Sequence, residues 1–318
     1  MSQRIRTIAV VGCGVIGMSW ATLFLANGLK VIISDPLEGA EEAFKRYARD
    51  AWPTLDPKKG LEQTLAEQFE FVVDINSRLG EVDFIQENGP ERAEFKQKLF
   101  ATLDQHARPG VVIASSSSGL PSSAFISDCK NDATRVLIGH PFNPPHLIPL
   151  IEVVPHPGTS LDAIATARSF YQSIGKKPIL INHETPGFVA NRLQAAINSE
   201  AYSLISRGIV SAEDLDTAVT SGPGLRWAIN GPIVTNSLGG GGGRDGFKTR
   251  LERLGPAIRS WEQDMSAHRF DWSEESVSAL NLEASKWLEA VEWADVNRQR
   301  DEVLLQLLAA KSKVSRKE

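Results

Sequence analysis

Two groups of residues in this sequence have types and spacings suited to chemistry. The first is Gly12-Cys13-Gly14-Val15-Ile16-Gly17, placed directly after the apolar run Thr7–Val11. Asp35 follows eighteen residues after Gly17, at the end of a second apolar run, Val31-Ile32-Ile33-Ser34. Gly12 permits a tight turn, Gly14 lets backbone approach a pyrophosphate, and Gly17 lets the next helix pack close to the strand. The pyrophosphate would rest on the N–H groups that open that helix. Asp35 can accept hydrogen bonds from a ribose diol and would repel a 2′-phosphate. Strand, glycines, helix, strand and acid fall in order within one βαβ unit, so the reading is a dinucleotide site for NAD rather than NADP.

The second group is a set of proton-transfer and hydroxyl-binding candidates. His140 lies in Gly139-His140-Pro141-Phe142-Asn143-Pro144-Pro145, at the carboxyl end of the apolar run Val136–Gly139. That end of an open α/β sheet is where ligands collect. An imidazole can take the proton of a carbinol as hydride leaves its carbon. Its other nitrogen needs a partner to fix the tautomer, and Glu152, twelve residues on in the next apolar run, is the natural one. Ser116, Ser117 and Ser118 reach the same edge, after Val111–Ala114, and could bind a substrate oxygen or the nicotinamide. Asn191 could bind the reacting oxygen through its uncharged amide.

The elements that must position these residues follow from the apolar patterning. Strand-like runs at Thr7–Val11, Val31–Asp35, Phe69–Val73, Phe84–Gln86, Val111–Ala114, Val136–Gly139 and Ile151–Val154 alternate with helical patterns at Ser19–Ala26, Gly39–Ala51, Leu61–Ala66, Ala93–His106 and Ser122–Ile126. A helix over Leu161–Ile174 and a last strand over Lys177–Ile181 complete a mostly parallel, doubly wound sheet of the Rossmann type. Strand signals end after Pro186. A long helix is expected over Phe188–Arg207, another from the cap signature Ser211-Ala212-Glu213-Asp214, and a charged amphipathic one over Val291–Lys313. The fold class is therefore α/β, a Rossmann domain over residues 1–185 followed by an all-helical C-terminal domain over 186–318. The five-glycine run Gly239–Gly243 is expected to be mobile without a ligand or partner, as a lid or a plain connector.

Composition narrows the function classes. With 42% apolar and 23% charged residues and a net charge of −5, the chain reads as a globular protein with a sizeable core and no nucleic-acid footprint. No stretch has membrane-spanning length, and the N-terminus runs straight into the first strand, so a cytoplasmic location is expected. Two cysteines, Cys13 and Cys129, exclude a disulfide framework and read as inert thiols in a reducing compartment. No metal site is expected.

Taken together, these stretches resemble the 3-hydroxyacyl-CoA dehydrogenase superfamily, most closely its λ-crystallin/L-gulonate 3-dehydrogenase branch. The blocks that carry the resemblance are the glycine turn, Ile85-Gln86-Glu87-Asn88-Gly89-Pro90-Glu91, Ser115–Ser122, His140–Pro145, Ile148–Pro157, Gly187–Gln194, Gly208–Ser211 and Gly224–Ala228. The resemblance implies His140 as base for alcohol oxidation and Glu152 as its dyad partner. Ser118, rather than Ser117, and Asn191 would bind the hydroxyl. Asn143 would help hold nicotinamide and substrate, and Val15, Ile16, Asp35, Glu91 and Lys96 would contact NAD. It also implies a homodimer formed through the helical domain. Four serines in a row, Ser115–Ser118, and the five-glycine run depart from the family pattern.

Arg226 bears on the substrate, since fatty acyl-CoA enzymes of the superfamily tend to lack a cation there. A guanidinium binds a free carboxylate bidentately. The expected substrate is thus a small 3-hydroxy acid oxidised at C3, with L-gulonate implied by the resemblance. Carnitine fits as well, with Trp227 as a wall for its quaternary ammonium. Acyl-CoA remains an enzymatic alternative, with Lys58 and Lys59 toward the CoA phosphates. A crystallin-like structural protein and an inactive NAD sensor are the alternatives of another class; neither needs the set Ser118, His140, Glu152 and Asn191.

Overall fold

The structure, a computed structural model, describes residues 4–313 apart from positions 56 and 58. It divides into two compact units, Met1–Arg192 and Leu193–Glu318. The first unit is built on an eight-stranded sheet. Its strands are β1 (Thr7–Val11), β2 (Lys30–Ser34), β3 (Phe69–Val72), β4 (Phe84–Glu87), β5 (Val112–Ser115), β6 (Val136–Pro141), β7 (Leu150–Pro155) and β8 (Lys177–Leu180). The spatial order is β3-β2-β1-β4-β5-β6-β7-β8. Strands β1 to β6 pair in parallel, β7 runs antiparallel to β6, and β8 runs parallel to β7. The order reverses between β1 and β4, the switch point at which doubly wound sheets bind nucleotides.

Both faces of the central strands are covered, which is why β1, β2 and β5 are near-continuous apolar runs rather than alternating ones. Ile8, Val10, Val31 and Ile33 enter one core cluster with Trp20, Phe24, Phe44 and Phe170. Ala9, Val11, Ile32, Ile85 and Ile113 enter the other with Phe100, Phe125 and Phe188. The alternation of adjacent residues between two cores is the period-two rule of a pleated strand. The covering helices are α1 (Val15–Ala26), α2 (Ala40–Ala51), α3 (Leu61–Gln68), α4 (Ala93–His106) and α5 (Leu161–Ser173). Ser160 caps α5 by accepting the Ala163 N–H. The helix expected over Ser122–Ile126 is a single 3₁₀ turn, Ser122–Ala124, too short to propagate.

The remaining helices are α6 (Ala190–Ser206), α7 (Ala212–Ser221), α8 (Pro223–Ile229), α9 (Pro232–Gly239), α10 (Gly246–Ala267), α11 (Glu274–Leu288) and α12 (Trp293–Lys313). Ser211 and Ser273 cap α7 and α11 through their hydroxyls. Helix α6 starts two residues later than its apolar pattern suggests. Phe188 is buried with φ of 51°, a left-handed turn that cannot be helical.

The five-glycine run is a defined helix-capping turn rather than a slack connector. Gly239 ends α9, and the Gly240, Gly241 and Gly242 N–H groups return to the Asn236, Leu238 and Ser237 carbonyls. Gly241, Gly242 and Gly243 all have positive φ, from 68° to 102°, a succession only glycine adopts freely. A Cβ on Gly240 would fall 1.9 Å from the Gly246 carbonyl oxygen. Sequence composition alone reports the entropy of such a run, not the close approach that demands it.

Candidate active site

The nucleotide crevice forms where β1 turns into α1. Gly12 has φ of 94°, and a Cβ there would meet the Asn88 carbonyl at 2.9 Å. A Cβ on Gly17 would lie 2.0 Å from the Gly12 carbonyl oxygen, whereas at Gly14 nothing lies within 4 Å. The first and third glycines therefore close a tight turn, and the second leaves room for a ligand against backbone. No side chain caps α1, so its first N–H groups are left for an anion. Val15, at this helix start, is 55% exposed, and Ile16 beside it is half-buried.

A cavity of about 610 Å³ adjoins the turn, bordered by Gly12, Gly14, Asp35, Ile75, Asn88 and Leu99, among others. The Asp35 carboxylate is fixed at its rim, accepting the Cys13 N–H at 2.7 Å and the Leu37 N–H at 2.8 Å. Each of its oxygens keeps a second lone pair for a ribose hydroxyl. Open backbone, an uncapped helix and an acid at the ribose position fit NAD. The Cys13 thiol is pushed up to about 12 by burial and the nearby Asp35 charge, which makes it unreactive.

The candidate proton-transfer pair arises from strand register. In the antiparallel β6–β7 ladder His140 lies directly opposite Glu152. Opposed residues put their side chains on the same face, 4.5–5.5 Å apart at Cβ by the usual geometry. The contact is made: His140 Nδ1 and Glu152 Oε2 are 2.7 Å apart, both side chains almost wholly buried. The other carboxylate oxygen of Glu152 accepts the Val189 N–H at 3.0 Å and the Ala190 N–H at 2.9 Å. Burial pushes the Glu152 carboxyl up. The hydrogen bonds from His140, Ala190 and Val189 more than offset this and hold it below the ordinary carboxylate range. An ionised carboxylate only accepts, so Nδ1 carries the proton and Nε2 is left as the basic nitrogen. Phe142 and Phe188 flank the ring at 5.0 and 5.6 Å between centroids.

The other candidates connect to this pair. Asn191 donates from Nδ2 to the Ser118 carbonyl at 2.9 Å. Ser118 is exposed, and its N–H donates to Glu91 Oε1 at 3.0 Å. That same oxygen accepts the Ser117 hydroxyl at 2.7 Å and the Gly119 and Leu120 N–H groups at 2.9 and 3.2 Å. Burial pushes the Glu91 carboxyl up, yet these donors and Lys96 bring it below its ordinary range. One hydrogen-bonded path thus runs from His140 through Glu152, the 189–191 segment and Ser118 to Glu91.

Not every expected residue lies on that path. Lys96 is buried, its ammonium enclosed by both oxygens of Glu87 at 2.9 and 2.8 Å; Ser115 donates to the same carboxylate at 2.5 Å. Its charge is committed within the protein. Asn143 is exposed on the loop after β6. Arg226 lies in α8, in the second unit, exposed and without an ion pair among the described residues. Lys59 pairs with Glu67, and Lys58 lies outside the described residues.

Sequence reasoning missed a buried polar network behind the serines. Ser116 Oγ receives the Trp20 indole N–H at 3.1 Å and the Gln86 amide at 2.9 Å, and donates to Asn88 at 2.7 Å. Tyr171 donates to Gln86 at 2.7 Å. The available signal was Gln86-Glu87 itself. Two polar residues ending an otherwise apolar buried strand must have partners.

Comparisons with known proteins agree with this architecture. The family model "3-hydroxyacyl-CoA dehydrogenase, NAD binding domain" matches residues 7–185, and "3-hydroxyacyl-CoA dehydrogenase, C-terminal domain" matches residues 187–268. The chain is 68% identical to a 3-hydroxyacyl-CoA dehydrogenase of Gibberella moniliformis, over 99% of this chain and 98% of the relative. It is 37% identical to an L-carnitine dehydrogenase of Streptomyces coelicolor, with the same coverage. Among solved structures, the NAD-dependent dismutase 5-formyl-3-hydroxy-2-methylpyridine 4-carboxylic acid 5-dehydrogenase superposes with a TM-score of 0.72. Sequence identity is 28%, over 97% of this chain and 99% of that one.

Proposed function

This chain belongs to the 3-hydroxyacyl-CoA dehydrogenase family and is an NAD-dependent oxidoreductase acting on CH–OH, and from that premise we propose that its substrate is a small 3-hydroxy acid with a free carboxylate. The observation that carries the catalytic assignment is the His140–Glu152 contact of 2.7 Å, set by register at the carboxyl edge of β6. NAD, when bound, supplies the hydride acceptor. His140 Nε2 takes the substrate hydroxyl proton. Glu152 keeps Nδ1 protonated and stabilises the imidazolium that forms. Ser118 and Asn191, joined through the Ser118 carbonyl, hold the reacting oxygen. Gly12, Gly14 and Gly17 with Asp35 hold the dinucleotide; Val15, Ile16, Glu91, Lys96 and Asn143 are assigned to its surroundings.

Arg226 is the cation we assign to the carboxylate, since it is exposed and its charge is uncommitted among the described residues. L-Carnitine is the first substrate to test, because relatives 36–40% identical carry that name. L-Gulonate follows from the sequence resemblance. The name of the 68%-identical relative favours a second reading, an acyl-CoA substrate. The partner we assign to the second unit is another copy of this chain. That unit leaves Trp227, Ile233, Trp261 and Leu282 exposed, 41–69% each, and apolar area of this kind marks an interface. Sedimentation would read the oligomeric state. No helix among the described residues is long and apolar enough to cross a membrane.

The deciding experiment is reduced-cofactor formation, NADH or NADPH, with L-carnitine, L-gulonate, 3-hydroxybutyrate and 3-hydroxybutyryl-CoA, each with NAD and with NADP. Turnover of a free acid with NAD is the expected result. Turnover of the thioester alone would reassign the substrate, and no turnover of any would overturn the reading.

A further inference from the structure

One buried cation takes no part in the scheme above. Lys176 follows Gly175, at the turn between α5 and β8, and is only 5% exposed. Its ammonium donates to the Pro145 carbonyl at 2.7 Å and to the Ile148 carbonyl. It also sits 5.1 Å from the centroid of the Trp20 ring. Among the described residues it forms no ion pair. A lysine buried without a carboxylate is costly, because nothing repays its lost hydration in full. Burial alone brings the ammonium down to about 7. Such a residue calls for an explanation beyond packing.

Its two acceptors supply one. Both lie in the loop 142–149 between β6 and β7, the segment that leaves His140 and returns at Glu152. That stretch includes Pro144, Pro145 and Pro149, and Pro141 precedes it. Prolines lack N–H groups, so the loop is short of donors to close its own turns. Its internal bonds are the Leu147 and Ile148 N–H groups on the Pro144 carbonyl. Further ties come from outside the loop. Ser19 on α1 accepts the His146 N–H at 2.9 Å, and the Lys177 N–H binds the Pro149 carbonyl at 2.7 Å. Lys176 supplies two further hydrogen bonds, and its Nζ faces Trp20, also on α1. The Trp20 indole N–H in turn holds Ser116 at 3.1 Å.

We propose that Lys176 is a positioning residue for the dehydrogenase reaction, which fixes the 142–149 loop against the nucleotide-binding helix so that His140 and the loop meet substrate and cofactor in one geometry. The proposal rests on the active-site reading above, and its test separates the two. Lys176→Met removes charge and donors; Lys176→Gln keeps donors without charge. Both are expected still to bind NADH, read by fluorescence, with at most a small loss through Asn143 in the loop, since the glycine turn and Asp35 are untouched. The Met variant should lose about 10- to 100-fold in kcat, the usual result of a misplaced reacting group, while the Gln variant recovers part of it. Amide hydrogen exchange in peptides spanning 142–150 should quicken about tenfold or more, with peptides spanning 7–35 unchanged. If the Met variant does not fold, the Gln variant decides, with kcat down at least about fivefold while NADH still binds. Wild-type kcat, or wild-type exchange in the loop, would overturn the proposal. The exchange measurement needs no substrate, so it stands even if the hydroxy acid assignment fails.

Discussion

Replacing Glu152 by glutamine separates what its carboxylate does for structure from what it does for chemistry. The side chains are isosteric, and the site is wholly buried, so no cavity opens. The Gln carbonyl can still accept from the Val189 and Ala190 N–H groups, which fixes the amide nitrogen toward His140. That nitrogen only donates, so Nδ1 must become the acceptor and the ring proton moves to Nε2. The nitrogen assigned as base then carries a proton at the start of the reaction. In catalytic triads the equivalent change lowers kcat about 10⁴-fold. The present dyad should lose about 10³- to 10⁴-fold, or about 4–5 kcal/mol of barrier. The stability cost is smaller. Three charge-assisted hydrogen bonds become neutral ones, a loss of about 2 kcal/mol, offset in part because a charge is no longer buried. Steady-state NADH formation and denaturant unfolding on the same preparation measure both. His140→Ala/Glu152→Gln should be no slower than His140→Ala alone, because the pair acts as a unit. A folded Glu152→Gln enzyme retaining more than about a tenth of wild-type kcat would refute the tautomer argument.

Four further outcomes follow from the same geometry. His140→Ala should bind NADH as wild type does yet lose about 10²- to 10⁴-fold in kcat, measured by titration and turnover. Arg226→Met should raise KM for a free hydroxy acid about 10- to 100-fold, the worth of one charge-assisted pair, and leave KM for NAD unchanged. Gly17→Ala should abolish NAD binding or folding, since its Cβ would lie 2.0 Å from the Gly12 carbonyl oxygen; a calorimetric titration with NAD reads it. For Lys176, burial lowers the native value from 10.5 to about 7. Between those values the unfolded chain holds a proton the native state lacks. Stability from this group therefore rises with pH across that window, by at most about 1.4 kcal/mol per unit, and is lowest below it. Urea midpoints near pH 7.5 and 9 should show this rise in wild type, and Lys176→Met should reduce it.

The parts of the fold legible in the sequence were those specified by local pattern. Strands β1, β2 and β5 follow from near-continuous apolar runs, because strands covered on both faces need no alternation to reveal them, whereas the edge strands β3 and β8 carry Glu70 and Lys177 and are half-buried or exposed. The cap at Ser211 was equally local. What pattern could not give was anything resting on distant pairing. Gly240 needs glycine because Gly246 comes within 1.9 Å of its absent side chain. The family resemblance implies Glu91 as an NAD contact, but nothing in the pattern shows that one of its oxygens collects four donors from a turn some 26–29 residues away. Lys96 is likewise implied as an NAD contact, and only the structure shows Glu87, on the neighbouring strand end, enclosing it.

The His140–Glu152 pair shows where the two kinds of information meet. A separation of twelve residues does not by itself bring two side chains together. It does so here because β7 returns antiparallel to β6, in a register that sets 140 opposite 152. A slip of one residue would turn every β7 side chain to the other face and leave the imidazole facing apolar neighbours. The register is held by the loop between them, and that loop, poor in donors through its prolines, is held from outside by Ser19, Lys176 and Lys177. The second Glu152 oxygen fixes the other side of the arrangement, on the Val189 and Ala190 N–H groups at the start of α6, where the helix dipole also favours its negative charge. One carboxylate therefore does two jobs with two oxygens. A glutamate shortened to aspartate would retract by about one methylene and could not keep both contacts. Glu152→Asp should consequently lower both kcat and thermal stability, whereas Glu152→Gln lowers chiefly kcat. Equal thermal midpoints for the two variants would mean that the second oxygen contributes nothing to holding the 188–191 turn.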